Sequence, residues 1–314
     1  MDKINHYNDA LFKDNLHYCK QLLRTLLISV CNAECSKHHF QIRDINFLDP
    51  ETQASNVSKK SVNDALIKID TVEGEEIVCD IELQTYPEGK KSLCVRVRHY
   101  AYNLFSRNKL KKGQSYKGTT IPNLLQIWFI KNEAEIFSRY PEKYHFCIQG
   151  IDSRSGEFLP GLSQDEHFIN INYFEAKAKK CNYKPKSDLE HIMMFFTCKS
   201  KAETERYVKF HYKPYLDELL ENEKSFFDDE DNLELYMKFE QMERRAEEAE
   251  AEAKEAQAKA VKAEAEKAEA QAKADKAEAE KAEAQARADK AEADNAKLRA
   301  FLAKNGIDIS TISD

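Results

Sequence analysis

The chain of 314 residues lacks the marks of several enzyme classes. It contains no G-x-S-x-G, no G-x-x-x-x-G-K-[ST] and no G-x-G-x-x-G. Nucleophile-elbow hydrolases, P-loop enzymes and dinucleotide-binding enzymes need the backbone geometry those glycines permit, so none of these readings has support. Paired cysteines are missing too. Eight cysteines, at 19, 31, 35, 79, 94, 147, 181 and 198, form no C-x-x-C. With no secretory signal, the expectation is reduced thiols in a cytoplasmic protein. Cys79 and Cys94 fall at apolar positions, as small core residues do. Cys31-x3-Cys35-x2-His38-His39 is not a standard zinc spacing and reads as a helix end or a loop. The longest apolar run, Leu22 to Cys31, is interrupted by Arg24 and is too short to span a membrane, so no membrane partner is expected. An overall excess of positive charge is absent, the net charge being −7. One local absence points the other way. No Asp or Glu occurs from Gly89 through Asn132, a span that holds Lys90, Lys91, Arg96, Arg98, Arg107, Lys109, Lys111, Lys112, Lys117 and Lys131. Such a zone either meets a phosphate backbone, by releasing counterions, or decorates a solvated helix and loop.

What is present is clearest from Asp64 to Gln84. Ala65, Ile67 and Ile69 alternate with Asp64, Lys68 and Asp70; Ile77, Cys79, Ile81 and Leu83 alternate with Asp80, Glu82 and Gln84. Period two over this length predicts two half-buried strands. A two-residue loop would set Asp70 against Ile77 and mix the faces. A three-residue loop, Val72-Glu73-Gly74, keeps them apart and puts Gly74 where a left-handed residue is needed. That register sets Asp64 opposite Glu82, with Cβ atoms roughly 5 Å apart. Two facing carboxylates repel unless one is protonated or a divalent cation lies between them, and Mg²⁺ suits one or two carboxylates. The alternative is a solvated polar face on an ordinary hairpin.

Around the hairpin, Asp9 to Cys31 reads as a helix and Ile42 to Leu48 as a strand. Ala54 to Lys60 reads as a polar connection and Tyr86-Pro87-Glu88-Gly89 as a turn. From Lys91 to Arg107, Leu93, Val97, Ala101 and Leu104 form an apolar stripe beside Arg96, Tyr100 and Asn103. Leu124 to Ile130 is a continuous apolar run, as in a strand covered on both faces. Strands are expected at Tyr144 to Ile151 and His167 to Tyr173, helices at Leu189 to Thr197 and Ala202 to Leu220, and an acidic break at Phe226 to Asn232.

Lys60-Ser61-Val62-Asn63-Asp64, the Gly turn and Ile81-Glu82-Leu83-Gln84 together resemble the core of the PD-(D/E)XK nucleases. The likeness is strongest to the PD-(D/E)XK nuclease family transposases, or recombination-promoting nucleases, in which Glu-x-Gln replaces Glu-x-Lys. Asn8-Asp9-Ala10-Leu11-Phe12-Lys13, Arg96 with Tyr100, and Lys112-Gly113-Gln114-Ser115-Tyr116 before the strand at Leu124 resemble further motifs of that family, in order. The resemblance covers about residues 1 to 245. It implies an α/β, restriction-endonuclease-like core, a mixed central sheet flanked by helices, acting as a metal-dependent endonuclease on double-stranded DNA. Asp64 and Glu82 would bind Mg²⁺ or Mn²⁺ and, with Gln84, form the catalytic set. Asp9 matches an acidic residue that the first helix brings to the site, though an N-cap role accounts for it equally well. Lys13 would contact phosphate; Arg96 and Tyr100 would do so too, or else Arg96 pairs with a surface acid and Tyr100 packs under the sheet. Gln84 carries no positive charge; if one is essential, Lys68 or Lys13 supplies it. The alternatives are a DNA-binding module that has lost its chemistry, and an interaction protein acting through its C-terminal helix.

From about Leu233 to Lys304 the chain becomes Ala/Glu/Lys-rich. Residues 262–275 repeat at 276–289 with only Lys273 changed to Arg287, and a third copy starts at Lys290. Fourteen residues are two heptads, which predicts a long helix with many i,i+4 Glu–Lys pairs. Its seam is alanine, leaving a homodimer and a single solvated helix equally open. The expected organisation is 1–225 nuclease-like domain, 226–304 helical or coiled-coil extension, and 305–314 tail.

Overall fold

A computed structural model describes residues 3–36, 39–49, 51–52, 61–85, 90–107, 122–131, 137, 139–157, 164–180 and 183–305. The expected connection at 54–60, the turn at 86–89, His38, Cys181 and the motif at 112–116 lie outside these residues. The chain divides into two compact units, Met1–Ala246 and Glu247–Asp314.

The first unit is built on a mixed six-stranded sheet. Its strands are β1 (Ile42–Phe47), β4 (Ala65–Thr71), β5 (Glu76–Gln84), β6 (Asn123–Ile130), β7 (His145–Ile148) and β8 (Asp165–Asn170), in the order β1-β4-β5-β6-β8-β7. The pairs β5–β6 and β6–β8 are parallel and the others antiparallel. A separate two-stranded ribbon joins β2 (Glu51–Thr52) to β3 (Ser61–Val62).

The central hairpin has the register its alternation requires. Asp70 faces Glu76, Ile67 faces Cys79 and Ala65 faces Ile81. The loop closes with Thr71 donating its N–H to the Glu75 carbonyl at 2.9 Å, and Gly74 adopts φ +87°. Helices then cover both faces. Ile67, Ile69, Ile77, Cys79 and Ile81 pack with Leu125, Ile127 and Phe129 against α1 (Asp9–Tyr18) and α2 (Lys20–Cys31). The opposite face lies under α3 (Lys90–Arg107), where Leu93 and Val97 meet Trp128 and Phe168, and Leu104 meets Leu66, Val78 and Leu124. The second arm is therefore not half-buried as the alternation suggests, whereas Lys68 and Asp70 on the first arm stay partly exposed. Asp80, Glu82 and Gln84 are buried as deeply as the apolar residues between them.

Five other expectations change, four of them because a distant or special residue intervenes. The first helical stretch is two helices, broken at Cys19 (φ −90°, ψ 87°). The Glu218 carboxylate accepts the Gln21 and Leu22 N–H groups at 2.9 and 3.0 Å, so α2 is capped by a residue far along the chain. The last strand ends at Asn170, whose side chain caps α4 (Ile171–Ala178), so Tyr173 is helical. After α5 (Asp188–Phe196), the stretch expected as one helix is α6 (Lys201–His211) and α7 (Pro214–Asp228), separated by left-handed Tyr212 (φ 49°) and restarted by Pro214 at its first turn. The acidic break shrinks to Asp229, whose side chain accepts the Asn232 N–H at 2.9 Å. Cys94, placed in the core by its spacing, is exposed.

The last helix, α8, runs Glu230–Lys304. Its start, through Ala246, belongs to the first unit, which thus continues past the expected boundary at 225. Tyr236 explains why: its ring packs with Ile4, Leu11 and Phe226, and its hydroxyl accepts the Asn5 N–H at 2.7 Å. In the second unit, every described side chain from Ala251 to Phe301 is exposed. Pairs such as Lys259–Glu255 at 2.6 Å and Lys273–Glu269 at 2.7 Å follow the predicted i,i+4 spacing. No described helix is long and apolar enough to cross a membrane.

Candidate active site

The carboxylates meet where the hairpin ends. With Ala65 facing Ile81, the next position on β4 brings Asp64 beside Glu82. Two reciprocal bonds fix them: the Asp64 N–H donates to Glu82 Oε1 at 3.2 Å, and the Leu83 N–H donates to Asp64 Oδ2 at 2.6 Å. The first turn of α1 lies alongside. Lys13 Nζ sits 3.0 Å from Asp64 Oδ1 and 2.8 Å from Asp9 Oδ2, bridging the two acids. Asp9 is not the N-cap. Asn8 caps α1 by accepting the Ala10 N–H at 3.1 Å, leaving the Asp9 carboxylate to the site.

From the other side, Arg96 of α3 donates to Gln84 Oε1. One turn on, the Tyr100 ring stands edge-on to Trp128 with centroids 5.5 Å apart. Asp9, Asp64, Glu82, Gln84, Arg96 and Tyr100 all line one cavity of about 260 Å³. Seven of the eight residues singled out in the sequence thus gather here, counting Lys13 through its contact with Asp64. The eighth, Lys68, does not. It is paired with Glu76 at 2.6 Å and Asp70 at 3.6 Å, toward the turn end of the hairpin. Of the basic zone, Arg96 is in the site, Lys131 pairs with Glu175 at 4.0 Å, and 108–121 lie outside the described residues.

Sequence reasoning missed several members. Asp80 lies beneath Glu82, wholly excluded from solvent, and takes Asn63 Nδ2 on Oδ1 at 2.7 Å and Gln126 Nε2 on Oδ2 at 3.1 Å. Its position in Asp80-Ile81-Glu82, two residues before Glu82 on one strand face, was the available signal. Tyr7, Phe239, Met242 and Glu243 complete the cavity wall. The latter three come from α8 and had no local signature.

Burial governs the electrostatics. It raises the Asp64 carboxyl above its ordinary value; Lys13 opposes the rise and Asp9 adds to it. Burial, then the charges of Asp80 and Asp64, drive Glu82 well above 4.5. Asp80 is pushed up to about 6 by burial, against the pull of the Asn63 and Gln126 amides. For Lys13, burial disfavours the ammonium, but Asp64 and Asp9 outweigh it and the pKa rises. Burial and the Glu82 charge raise Tyr100. Asp64 and Glu82 bring two carboxyls that resist joint ionisation to the cavity, a pair whose repulsion a hard divalent cation would relieve, although among the described residues no group of three His, Cys, Asp or Glu side chains is arranged to hold an ion.

The sequence pattern around Cys31 and Cys35 leads elsewhere. Cys31 is buried, whereas Cys35 Sγ lies 3.4 Å from His145 Nδ1. His145 Nε2 meets His167 Nδ1 at 2.9 Å, and Cys147 Sγ lies 3.7 Å from His167 Nε2. The four side chains form a line, and among the described residues no group of three such donors is arranged to hold a metal.

The fold and the hairpin site meet in one comparison. Residues 7–253 match the family of the PD-(D/E)XK nuclease family transposases. The chain belongs to that family. No curated protein and no solved structure matches it. Membership accounts for the mixed sheet with flanking helices and suggests a nuclease or transposase role. PD-(D/E)XK nucleases generally use divalent metals, and the Asp64–Glu82 pair fits one.

Proposed function

We propose that the protein is a metal-dependent DNA endonuclease of the transposase or recombination-promoting type, hydrolysing phosphodiester bonds in double-stranded DNA. The observation that carries this reading is the placement of Asp64 beside Glu82, with the Asp64 N–H donating to Glu82 and the Leu83 N–H donating to Asp64, in a cavity also lined by Gln84, Arg96 and Tyr100. Asp64 and Glu82 would hold Mg²⁺ or Mn²⁺. When bound, such an ion activates water and offsets charge developing on the phosphate.

The remaining roles belong to the chain itself. Arg96, oriented by its bond to Gln84, binds a phosphate oxygen through a charge-assisted hydrogen bond. The Tyr100 hydroxyl, kept protonated by burial and by Glu82, donates to the same group. Gln84 lacks the charge of the usual motif lysine, and Lys13 supplies it: its ammonium stands 3.0 Å from Asp64. Lys68, paired with Glu76 at 2.6 Å, is not assigned that role.

The test is supercoiled plasmid with Mg²⁺ or Mn²⁺, run with wild type, Asp64→Ala and Glu82→Ala. Cleavage should need the metal and both carboxylates. A folded Glu82→Ala protein that cuts at the wild-type rate would remove the mechanism. DNA binding without cleavage under any metal would instead favour the module that has lost its chemistry.

A further inference from the structure

A second cavity, of about 770 Å³, lies between α4, the end of α5 and α6. Its chemistry differs from that of the hairpin site. α6 contributes Glu203, Arg206, Tyr207, Phe210 and His211, the i, i+3, i+4, i+7 and i+8 positions of one helical face. Lys179 and Lys199 add two further cations.

Two features of this cavity have no cause in folding. The first is exposed aromatic surface. Phe210 is 77% exposed, and Tyr212, two residues on, is 78% exposed. A single exposed ring is ordinary. Here two are set in Lys209-Phe210-His211-Tyr212-Lys213, where aromatic and basic side chains alternate. The Tyr207 and His211 rings, with centroids 4.3 Å apart, extend the surface inward from Phe210. The second feature is unneutralised charge. Both acids of the cavity are engaged: Glu175 lies 3.4 Å from Lys199 Nζ and 4.0 Å from Lys131 Nζ, and Glu203 accepts the Lys199 N–H at 2.7 Å. Among the described residues no carboxylate pairs with Lys179, Arg206 or Lys209.

Exposed rings beside free cations match the chemistry of a single nucleic-acid strand, which offers phosphates to the cations and unstacked base faces to the rings. A duplex offers the phosphates alone, because its base faces cover one another. An apolar peptide would use the rings and strand the cations. The cavity is also joined to the hairpin site. Lys131 donates its N–H to the Gln84 carbonyl at 2.8 Å, and its ammonium reaches Glu175 on the cavity wall.

We propose that this cavity is a single-stranded DNA site, in which Phe210 stacks on an unpaired base while Lys179, Lys199 and Arg206 hold the phosphates. The binding needs neither metal nor cleavage; that the strand held here runs on past Lys131 into the hairpin site rests on the nuclease reading.

The test uses the full chain in EDTA and follows the anisotropy of a labelled oligothymidylate of about 16 nucleotides, beside a duplex of the same length. Wild type should prefer the single strand. Phe210→Ala should weaken its binding about 5- to 150-fold, the value of one stacked base. Phe210→Leu, which keeps apolar bulk and loses the ring face, should lose affinity too. Lys179→Gln/Arg206→Gln should lower the slope of log K against log salt by about 1.4. Phe210 and Arg206 are exposed, so these variants should keep the wild-type urea midpoint. Failure of wild type to bind the oligonucleotide, wild-type affinity in Phe210→Ala or Phe210→Leu, or equal binding of the duplex would each overturn the proposal. Plasmid cleavage with Mg²⁺ or Mn²⁺ is run on the same preparations. Metal-dependent cleavage with oligonucleotide binding indifferent to Phe210 removes this site and leaves the nuclease reading. Binding through Phe210 without cleavage under any metal keeps the site and removes the nuclease reading, together with the path into the hairpin site.

Discussion

Replacing Asp80 by Asn should change the way stability depends on pH, by an amount the structure sets. Asp80 is fully buried, so its charge is not screened by solvent. Its carboxyl is raised from the ordinary 3.8 to about 6. At about 1.36 kcal/mol per pH unit, ionising it in the folded chain costs about 3 kcal/mol. The sign follows from which state holds the proton more tightly. The folded chain does, so the stabilising contribution is complete below pH 3.8 and is lost as pH rises through about 6. Roughly 2 kcal/mol of the total should disappear between pH 4 and pH 8. Asn cannot ionise and escapes this loss. It also brings an amide against the Asn63 and Gln126 donors, but that penalty is the same at every pH. The informative quantity is therefore the difference between variant and wild type at pH 8 minus the same difference at pH 4. It should favour the variant by roughly 2 kcal/mol. Because the Asp80 charge also helps to raise Glu82, the measurement reports the proton of the pair. Urea unfolding with EDTA at both pH values provides the assay. Parallel stability curves, differing by a constant offset, would refute the reasoning.

Other perturbations separate local from long-range causes. Lys13→Met should reduce cleavage about 10²-fold or more, the low end for a lost proton-transfer or charge-stabilising group, whereas Lys68→Met should leave it within about twofold; equal effects of the two in plasmid cleavage would contradict the assignment of the missing motif charge to Lys13. Tyr236→Ala should cost about 3–5 kcal/mol in urea unfolding, since it empties a buried aromatic site and strands the Asn5 N–H. A chain ending at Ala246 should keep the wild-type midpoint for the first unit, and one ending at residue 229 should not. Gly74→Ala should cost about 1–2 kcal/mol through backbone strain alone, because φ is +87° and an added Cβ meets nothing within 4 Å; an unchanged melting temperature would show that the loop relaxes.

The parts of this protein legible in its sequence are those whose cause is local and periodic. Strict alternation fixed the faces of β4 and β5, and the loop then had to contain three residues with Gly74 last. The alanine heptads likewise announced the long helix. What stayed hidden depends on residues far away in the chain. The Cys19 break is held open by Glu218, and the first unit is completed by Tyr236 docking on Asn5. Of the site, Asp64, Glu82, Gln84, Arg96 and Tyr100 were accessible because motif order marked them. Phe239, Met242 and Glu243 were not, since nothing about a charged helix start says which surface it covers.

The hairpin also shows where period-two reasoning misjudges burial. Alternation distinguishes two faces of a strand, and the usual inference assigns the polar one to water. Here α3 covers that face, and Leu66, Val78, Trp128 and Leu104 make the cover a genuine core. Asp80, Glu82 and Gln84 are polar for another reason. A solvated carboxylate next to another gains little from its neighbours, because water screens each one. Under α3 the Asp80 and Glu82 carboxyls hold their protons tightly, and Asp80 is held by the amides of Asn63 and Gln126. Burial therefore separates this hairpin from an ordinary solvated one, and the element that covers its polar side is the helix that follows the motif.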